Sequence, residues 1–211
     1  MKRFSVVRIL LNNCLKDNDV ALVVGEDLCK EVFKYDRPGN MYITDACDIA
    51  PSLALGIAMT TNKRVFIICE DHIFLRSFSS TPNLAVSQCK NFFYVILSSG
   101  RYQHSGDQPT ILESITSLKG VLFNLGFLIH DYTNYFKDTN RTKEVEKILD
   151  KALGPMVTLI DVEPGVNKNI SDITFTKEQL RDRLFDFINN EELGTSIFKA
   201  TTVQAQVFDG G

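Results

Sequence analysis

The chain of 211 residues is long enough to bury one sizeable core, and its length alone allows one domain or two small ones. A hydrophobic content of 44%, a charged content of 23% and a formal net charge of −3 are ordinary for a globular protein in solution, and they argue against nucleic acid as a partner. The sequence has no apolar run of the ~20 residues that span a membrane, no signal peptide and no CxxC pair among its scattered cysteines, so we expect a reduced, cytoplasmic setting.

Predicted helices and strands alternate along the chain. In the first half they are helix 2–15, strand 20–25, helix 28–33, strand 41–43, helix 48–59, a strand from 65 that ends in an acidic turn at 70–72, and an interrupted helix within 73–88. In the second half they are strand 92–97, polar loop 98–110, helix 117–124, strand 127–130, helix 142–153, strand 156–162 and helix 176–188. This alternation predicts a single three-layer α/β domain with a mainly parallel sheet at 1–190, followed by a C-terminal tail at 191–211.

Two of the predicted strands indicate where a site should lie. The stretches Val65–Cys69 and Phe92–Leu97 are almost continuously apolar, which is typical of parallel strands covered on both faces. In an open α/β sheet, ligands bind outside the carboxyl ends of such strands. Asp71 and the polar loop Ser98–Thr110 should therefore lie side by side at one edge of the sheet.

Other interpretations of these residues stay open at this point. Asp71 could equally be a solvated or capping carboxylate at a strand end. The run Glu70-Asp71-His72 could be a metal cluster, but three consecutive side chains at a strand end cannot all point one way. In the polar loop, Arg101 suits a carboxylate, sulfonate or phosphonate, and His104 is either a contact for a substrate anion or a solvent-facing histidine.

The remaining candidates favour structural roles. Cys47 has no neighbouring histidine in sequence, so core packing is a better interpretation than a nucleophile. His72 is more typical of a space-filling residue than of a general base. His130 ends a strand and carries no functional signal.

Several stretches, taken in order and spacing, resemble a known family. They are Asp36–Tyr42, Ile49–Ala58, Asn91–Leu97, Ser105–Thr110 and Gly154–Gly165. With these stretches the chain resembles, from about Phe4 to Ile188, the diphosphate-binding domain of sulfopyruvate and phosphonopyruvate decarboxylases. The resemblance implies the thiamine-diphosphate-binding fold, with thiamine diphosphate and Mg²⁺ as cofactors.

The resemblance also implies roles for individual residues. By position, Asp71 takes the role of the Mg²⁺ carboxylate, Ser99 that of an asparagine ligand, and Arg101 offers a backbone carbonyl, a compact oxygen set of the kind that Mg²⁺ requires. The positions implied to bind the cofactor are Asp45, Ala46, Cys47, Glu70, Asp71, His72, Ile73, Ser99, Arg101 and Tyr102. No catalytic residue is implied within the chain.

The sequence departs from the family pattern at the site itself. Glu70 and His72 replace two glycines, Ser99 replaces the asparagine, and Asp45–Asp48 replaces Gly-Ser-Met-Gly. Cys47 would be a smaller wedge than the methionine that bends the cofactor in this family. The negative charges of Glu70, Asp45 and Asp48 should repel a diphosphate unless a cation intervenes.

The resemblance implies a function that needs a second protein. In the resembling enzymes a separate pyrimidine-binding domain supplies the glutamate that activates the cofactor, so this chain should pair with a pyrimidine-binding-domain subunit and act on a small anionic 2-oxo acid. The rival hypothesis is a non-catalytic paralogue that keeps the fold and the partner interface. A flavodoxin-like nucleotide binder is a weaker third hypothesis, because no glycine-rich phosphate loop follows the first predicted strand.

Overall fold

The fold is built from eight strands and nine helices among the residues that the computed structural model describes, which are 1–114, 117–132, 142–165, 170 and 172–189. The strands are β1 Val20–Val24, β2 Asn40–Ile43, β3 Val65–Glu70, β4 Phe92–Ser98, β5 Arg101–Tyr102, β6 Gln108–Pro109, β7 Leu128–Asp131 and β8 Met156–Asp161. The helices are α1 Arg3–Ile9, α2 Glu26–Phe33, α3 Ala50–Thr60, α4 Asp71–Arg76, α5 Thr81–Val86, α6 Ile111–Ser114, α7 Leu118–Asn124, α8 Thr142–Lys151 and α9 Lys177–Asn189. A π-helical turn, Leu10–Cys14, continues α1.

Six of the strands form one sheet in the order β2-β1-β3-β4-β8-β7, with every neighbouring pair parallel. The strand residues alternate between two apolar clusters. One cluster packs under α1, α2 and α8, and the other packs under α3, α4, α5 and α7. The predicted three-layer α/β domain with a mainly parallel sheet is therefore confirmed.

Helix α9 covers one edge of the sheet. Its Leu180 joins the first cluster and its Leu184 joins the second, so the helix straddles the outer strand β2. From the same helix, Arg183 donates to the carbonyl of Asn40 at 2.6 Å. The N-cap at Thr176, which the sequence predicts, is confirmed by its hydroxyl accepting from the backbone N–H of Gln179 at 3.2 Å. Covering an edge strand in this way protects it from pairing with other chains.

Three sequence expectations need correction. Asp71 does not lie in a turn, because β3 runs to Glu70 and α4 begins at Asp71 without a gap. The segment 98–110 is not all loop, because β5 and β6 pair there as an antiparallel ribbon. Helix α6 was not anticipated. The predicted tail at 191–211 lies outside the described residues, and no helix among the described ones is long and apolar enough to cross a membrane.

Because its thiols are buried, we expect the fold to become less stable at alkaline pH. Burial raises the pKa of Cys14 to about 12 and raises the pKa values of Cys29 and Cys69 further above their usual range. Between the ordinary thiol pKa near 9 and these folded-state values, the folded chain holds protons that the unfolded chain releases, so stability falls as pH rises.

We expect the free energy of unfolding to fall above pH 9 by up to about 1.4 kcal/mol per pH unit for each of these thiols. Urea unfolding between pH 8 and 10.5 measures it. A Cys29→Ala variant should lose part of this pH-dependent slope, because Cys14 and Cys69 keep their contributions. An equal slope in the variant would contradict the assignment.

Candidate functional site

The parallel pairing of β3 with β4 brings Asp71 against the chain that leaves β4. In the register, Glu70 lies opposite Leu97, so Asp71 and Ser98 both emerge at the carboxyl edge. The Asp71 carboxylate is fully buried, and its Oδ2 accepts the backbone N–H of Gly100 at 2.7 Å and the hydroxyl of Ser98 at 3.4 Å. Asp71 and the segment from Ser98 thus lie together, as expected from the sequence.

The surroundings of Asp71 shift the pKa of its carboxyl group in opposite directions. Burial raises the pKa of the carboxyl group above its usual value. The backbone N–H groups of Gly100, His72 and Ser99 and the hydroxyl of Ser98 oppose that rise. Because hydrogen bonds from His72, Ser98 and Gly100 meet one carboxylate, Asp71 anchors the segment that follows β4.

Two further oxygens lie on Ser99 and Arg101, the residues on either side of Gly100, whose N–H donates to Asp71. The hydroxyl of Ser99 lies 3.4 Å from the carbonyl oxygen of Arg101 and accepts the Arg101 backbone N–H at 3.3 Å. Neighbouring ligands around an octahedral Mg²⁺ are about 3 Å apart, since each lies about 2.1 Å from the metal. The two predicted oxygen donors after β4 therefore face one another at a spacing close to that of metal ligands.

The two residues after Asp71 are buried in the protein. His72 is 3% exposed, and its ring lies 5.8 Å from that of Tyr102 in β5. Ile73 is 4% exposed and packs in the core below Gly25. His72 thus fills space under the ribbon, as the sequence favours. The side chain of His104 lies outside the part of the chain that the structure describes.

Glu70 turns away from Asp71 and enters a buried ion cluster that sequence reasoning missed. Arg3, only 1% exposed, donates from Nε and Nη2 to the two carboxylate oxygens of Glu31, each at 2.9 Å. Its Nη1 donates to Oε1 of Glu70. Burial lowers the pKa of Arg3, but the hydrogen bonds and charges of the two carboxylates outweigh it and the pKa is raised overall. The consecutive residues Glu70, Asp71 and His72 therefore point to different partners.

The described residues contain no group of three or more His, Cys, Asp or Glu side chains placed to share a metal. This finding argues against a metal cluster made of Glu70, Asp71 and His72. It does not bear on a site built from one carboxylate, one hydroxyl and one backbone carbonyl. In such a site only the carboxylate comes from a His, Cys, Asp or Glu side chain.

The predicted cofactor positions at 45–47 follow the end of β2. Asp45 and Ala46 line a cavity of about 640 Å³ between α2, α3 and the segment before α9, and Ala46 has a positive φ of 30°. Cys47 is 3% exposed, and its thiol lies 3.6 Å from the Thr44 carbonyl. Cys47 belongs to the apolar cluster under α3, α4, α5 and α7, so the core interpretation is confirmed, and burial raises the pKa of its thiol. The smaller-wedge role that the resemblance implies stays a prediction.

The three acidic residues expected to repel a diphosphate each have a cationic partner, and the repulsion itself stays a prediction. Asp45 pairs with Lys177 at 2.5 Å, and Asp48 pairs with Arg76 at 3.9 Å. These two pairs are exposed and contribute little. Glu70 differs, because its partner Arg3 is buried with it.

The residues present fit a small cation that prefers oxygen ligands. A carboxylate accepts about four hydrogen bonds, and three are observed at Asp71, from the N–H groups of His72 and Gly100 and the hydroxyl of Ser98. The 3.4 Å contact from Ser98 is weak, so a metal could replace it at low cost. Ser99 and Arg101 supply the neighbouring oxygens.

Comparison with known proteins gives a consistent result. No protein-family model matches the chain. It is 21% identical over 175 residues to a sulfopyruvate decarboxylase β subunit from Methanocaldococcus jannaschii, covering 79% of this chain and 93% of that one. It is 22% identical over 198 residues to a phosphonopyruvate decarboxylase from Streptomyces viridochromogenes, covering 92% of this chain and 48% of that enzyme.

A solved structure matches the fold. A thiamin diphosphate-dependent enzyme from Mycobacterium smegmatis superposes with a TM-score of 0.60 at 17% identity, over 78% of this chain and 32% of the other. Both sequence relatives are decarboxylases, and the shared fold is the one expected from the sequence. The chain is thus a homologue of the β subunit of sulfopyruvate decarboxylase and of phosphonopyruvate decarboxylase, with the fold of thiamine diphosphate-dependent enzymes.

Proposed function

We propose that this chain is the diphosphate-binding subunit of a heteromeric thiamine-diphosphate-dependent decarboxylase that acts on a small anionic 2-oxo acid. The observation that carries the proposal is the grouping of the Asp71 carboxylate with the Ser99 hydroxyl and the Arg101 carbonyl at the ends of β3 and β4. We assign residues 1–190 to the cofactor domain and 191–211 to a tail.

In this proposal Asp71, Ser99 and Arg101 hold Mg²⁺, and the metal offsets the charge of the cofactor's diphosphate. Thiamine diphosphate, when bound, supplies the electron sink for decarboxylation. The residues of this chain bind and orient the diphosphate end. By the resemblance, the backbone carbonyl of Asp45 would hold the aminopyrimidine, and Asp45 lines the cavity described above.

The cationic side chain of Arg101 also supports an anionic substrate in this proposal. The Arg101 guanidinium is half-buried, and its Nη1 donates to the Asp107 carbonyl at 3.1 Å. Its position in the ribbon next to Ser99 places a planar donor group at the same edge of the sheet. Such a group suits a carboxylate, sulfonate or phosphonate.

The outer face of α3 supports the need for a partner subunit. This helix contains no charged residue, yet Ile49, Leu53 and Met59 are 59%, 42% and 70% exposed. A Cβ added at Gly56 would meet nothing within 4 Å, so nothing in the described chain requires a glycine there. An uncharged helix is normally covered on all sides. We assign this face to the pyrimidine-binding-domain subunit.

We expect Gly56→Glu to weaken association with the partner subunit at least tenfold while the chain stays folded. Residues 49, 53 and 56 share one helix face, so the carboxylate would enter the apolar interface. Gly56→Ala is the matched control, and it should stabilise the isolated chain by about 0.5–1 kcal/mol. Analytical ultracentrifugation of co-expressed subunits measures the first effect and urea unfolding the second. Unchanged association of Gly56→Glu would assign the interface elsewhere.

A non-catalytic paralogue is the second candidate, and one observation favours it. The Asp71 carboxylate already receives hydrogen bonds from its own chain, with His72 N–H at 2.8 Å and Gly100 N–H at 2.7 Å. An aspartate used only as an anchor would have the same surroundings.

One experiment separates the two candidates. Thiamine diphosphate with Mg²⁺ is titrated calorimetrically into the purified chain, alone and together with the candidate partner subunit. Micromolar, Mg²⁺-dependent binding supports the decarboxylase subunit, and short anionic 2-oxo acids are then screened as substrates. The absence of binding in both states would overturn the first candidate and leave the paralogue.

A further inference from the structure

The ion cluster around Arg3 lies next to the candidate site but is not part of it. The guanidinium is 1% exposed and makes a two-point contact with Glu31 of α2. A buried charge is costly unless its hydrogen-bonding groups have partners. The planar guanidinium of Arg3 donates to one carboxylate on each side, which provides those partners. The third donor, Nη1, goes to Glu70, the last residue of β3 before Asp71.

The contacts continue from Glu70 into the segment that carries the other two oxygen donors. Oε1 of Glu70 also accepts from the side-chain amide of Gln103 at 3.3 Å. The side-chain oxygen of Gln103 in turn accepts the backbone N–H of Gly165 at 2.9 Å. Gln103 directly follows β5, which contains Arg101. One end of the ribbon is therefore held between β3 and the chain that leaves β8.

The amino terminus is fixed at the same edge. The backbone N–H of Glu163 donates to the Met1 carbonyl at 2.9 Å, and the amino group of Met1 lies 3.2 Å from the Glu163 carboxylate. Arg3 thus enters the protein from a tethered segment. The contacts form a closed path through Met1, Arg3, Glu70, Gln103 and the chain after β8.

We propose that Arg3 is a positioning residue of the candidate site, acting through Glu70 and Gln103 to fix the segment that presents Ser99 and Arg101. The proposal rests on the proposed function only where it concerns cofactor affinity. Its structural part concerns the geometry of the segment after β4. The hydrogen bonds of Arg3 described above go to Glu31 and Glu70 and not to Asp71. Arg3 is therefore not a catalytic residue.

The test compares two variants with a matched control. Gln103→Ala cuts the path at a half-buried side chain and leaves all charges in place. Arg3→Lys keeps the charge but loses the two-point contact with Glu31. Asp19→Asn is the control, because the buried Asp19 pairs with the half-buried Arg64 at the opposite, amino end of the sheet.

Two readouts are measured on the full chain with its partner. The first is the affinity for thiamine diphosphate with Mg²⁺, and the second is hydrogen exchange of the Gly100 amide, which donates to Asp71. We expect Gln103→Ala and Arg3→Lys to weaken binding by about tenfold or more, as outer contacts of metal ligands do. Both should speed Gly100 exchange at least tenfold. Asp19→Asn should lower the melting temperature without changing either readout.

The outcomes separate this inference from the proposed function. If the wild type binds the cofactor and Gln103→Ala binds equally well with unchanged Gly100 exchange, the positioning role is wrong. If Asp19→Asn has the same effects as Arg3→Lys, Arg3 acts only through overall stability and the role is also wrong. If the wild type binds no cofactor, the proposed function fails, and faster Gly100 exchange in Gln103→Ala but not in Asp19→Asn still supports the role.

Discussion

Substituting alanine for Asp71 should reduce Mg²⁺-dependent binding of thiamine diphosphate by at least about 100-fold, because the chain loses the one carboxylate of the proposed oxygen set. The same change should lower the free energy of unfolding by about 1.5–3 kcal/mol, since the N–H groups of His72 and Gly100 lose a charged acceptor. Calorimetric titration and urea unfolding measure the two effects.

Two further variants make this prediction specific. Asp71→Asn keeps one oxygen for the Gly100 N–H but removes the charge, so it should lose binding and keep most of the stability. Asp186→Ala removes an exposed carboxylate from α9 and should change neither quantity appreciably. Binding that survives in Asp71→Asn would show that Asp71 serves as an anchor and not as a metal ligand.

Much of the fold could be predicted because the strands have simple patterns. The apolar runs at 65–69 and 92–97 are covered on both faces, and each is bounded by polar residues, so they indicate adjacent buried strands. That inference alone placed Asp71 beside the segment after Ser98, and the 2.7 Å hydrogen bond from Gly100 agrees with it. The ribbon of β5 and β6 was missed because two-residue strands have no measurable alternation.

The buried ion cluster of Arg3, Glu31 and Glu70, next to the candidate site, could not be predicted from such patterns. Arg3 and Glu70 are 67 positions apart, and Arg3 and Glu31 are 28 apart. A charged residue at the start of an amphipathic helix is usually solvated, so Arg3 gave no signal of burial. Glu70 could be recognised as an unusual residue at a strand end. Its neutralisation depends on tertiary contacts that hydrophobic periodicity does not report.

The same cluster leads to the largest expected loss of stability. Arg3→Met should lower the free energy of unfolding by about 3–5 kcal/mol, because it leaves the carboxylates of Glu31 and Glu70 buried without their cation. A loss of this size is a large fraction of the 5–15 kcal/mol typical of a domain. Urea unfolding followed by circular dichroism measures it, and a variant that cannot be purified folded would agree in direction.

A compensated variant shows whether the missing charge is the cause. In Arg3→Met combined with Glu31→Gln and Glu70→Gln, the cluster carries no net charge and no unpaired carboxylate, so most of the lost stability should return. Arg181→Met is the surface control, since Arg181 is 69% exposed, and it should change stability by about 0.5 kcal/mol or less. If the compensated variant stays as unstable as Arg3→Met, the loss comes from packing of the arginine stem. If it recovers stability but not cofactor affinity, the charged cluster acts on the site separately from its contribution to the fold.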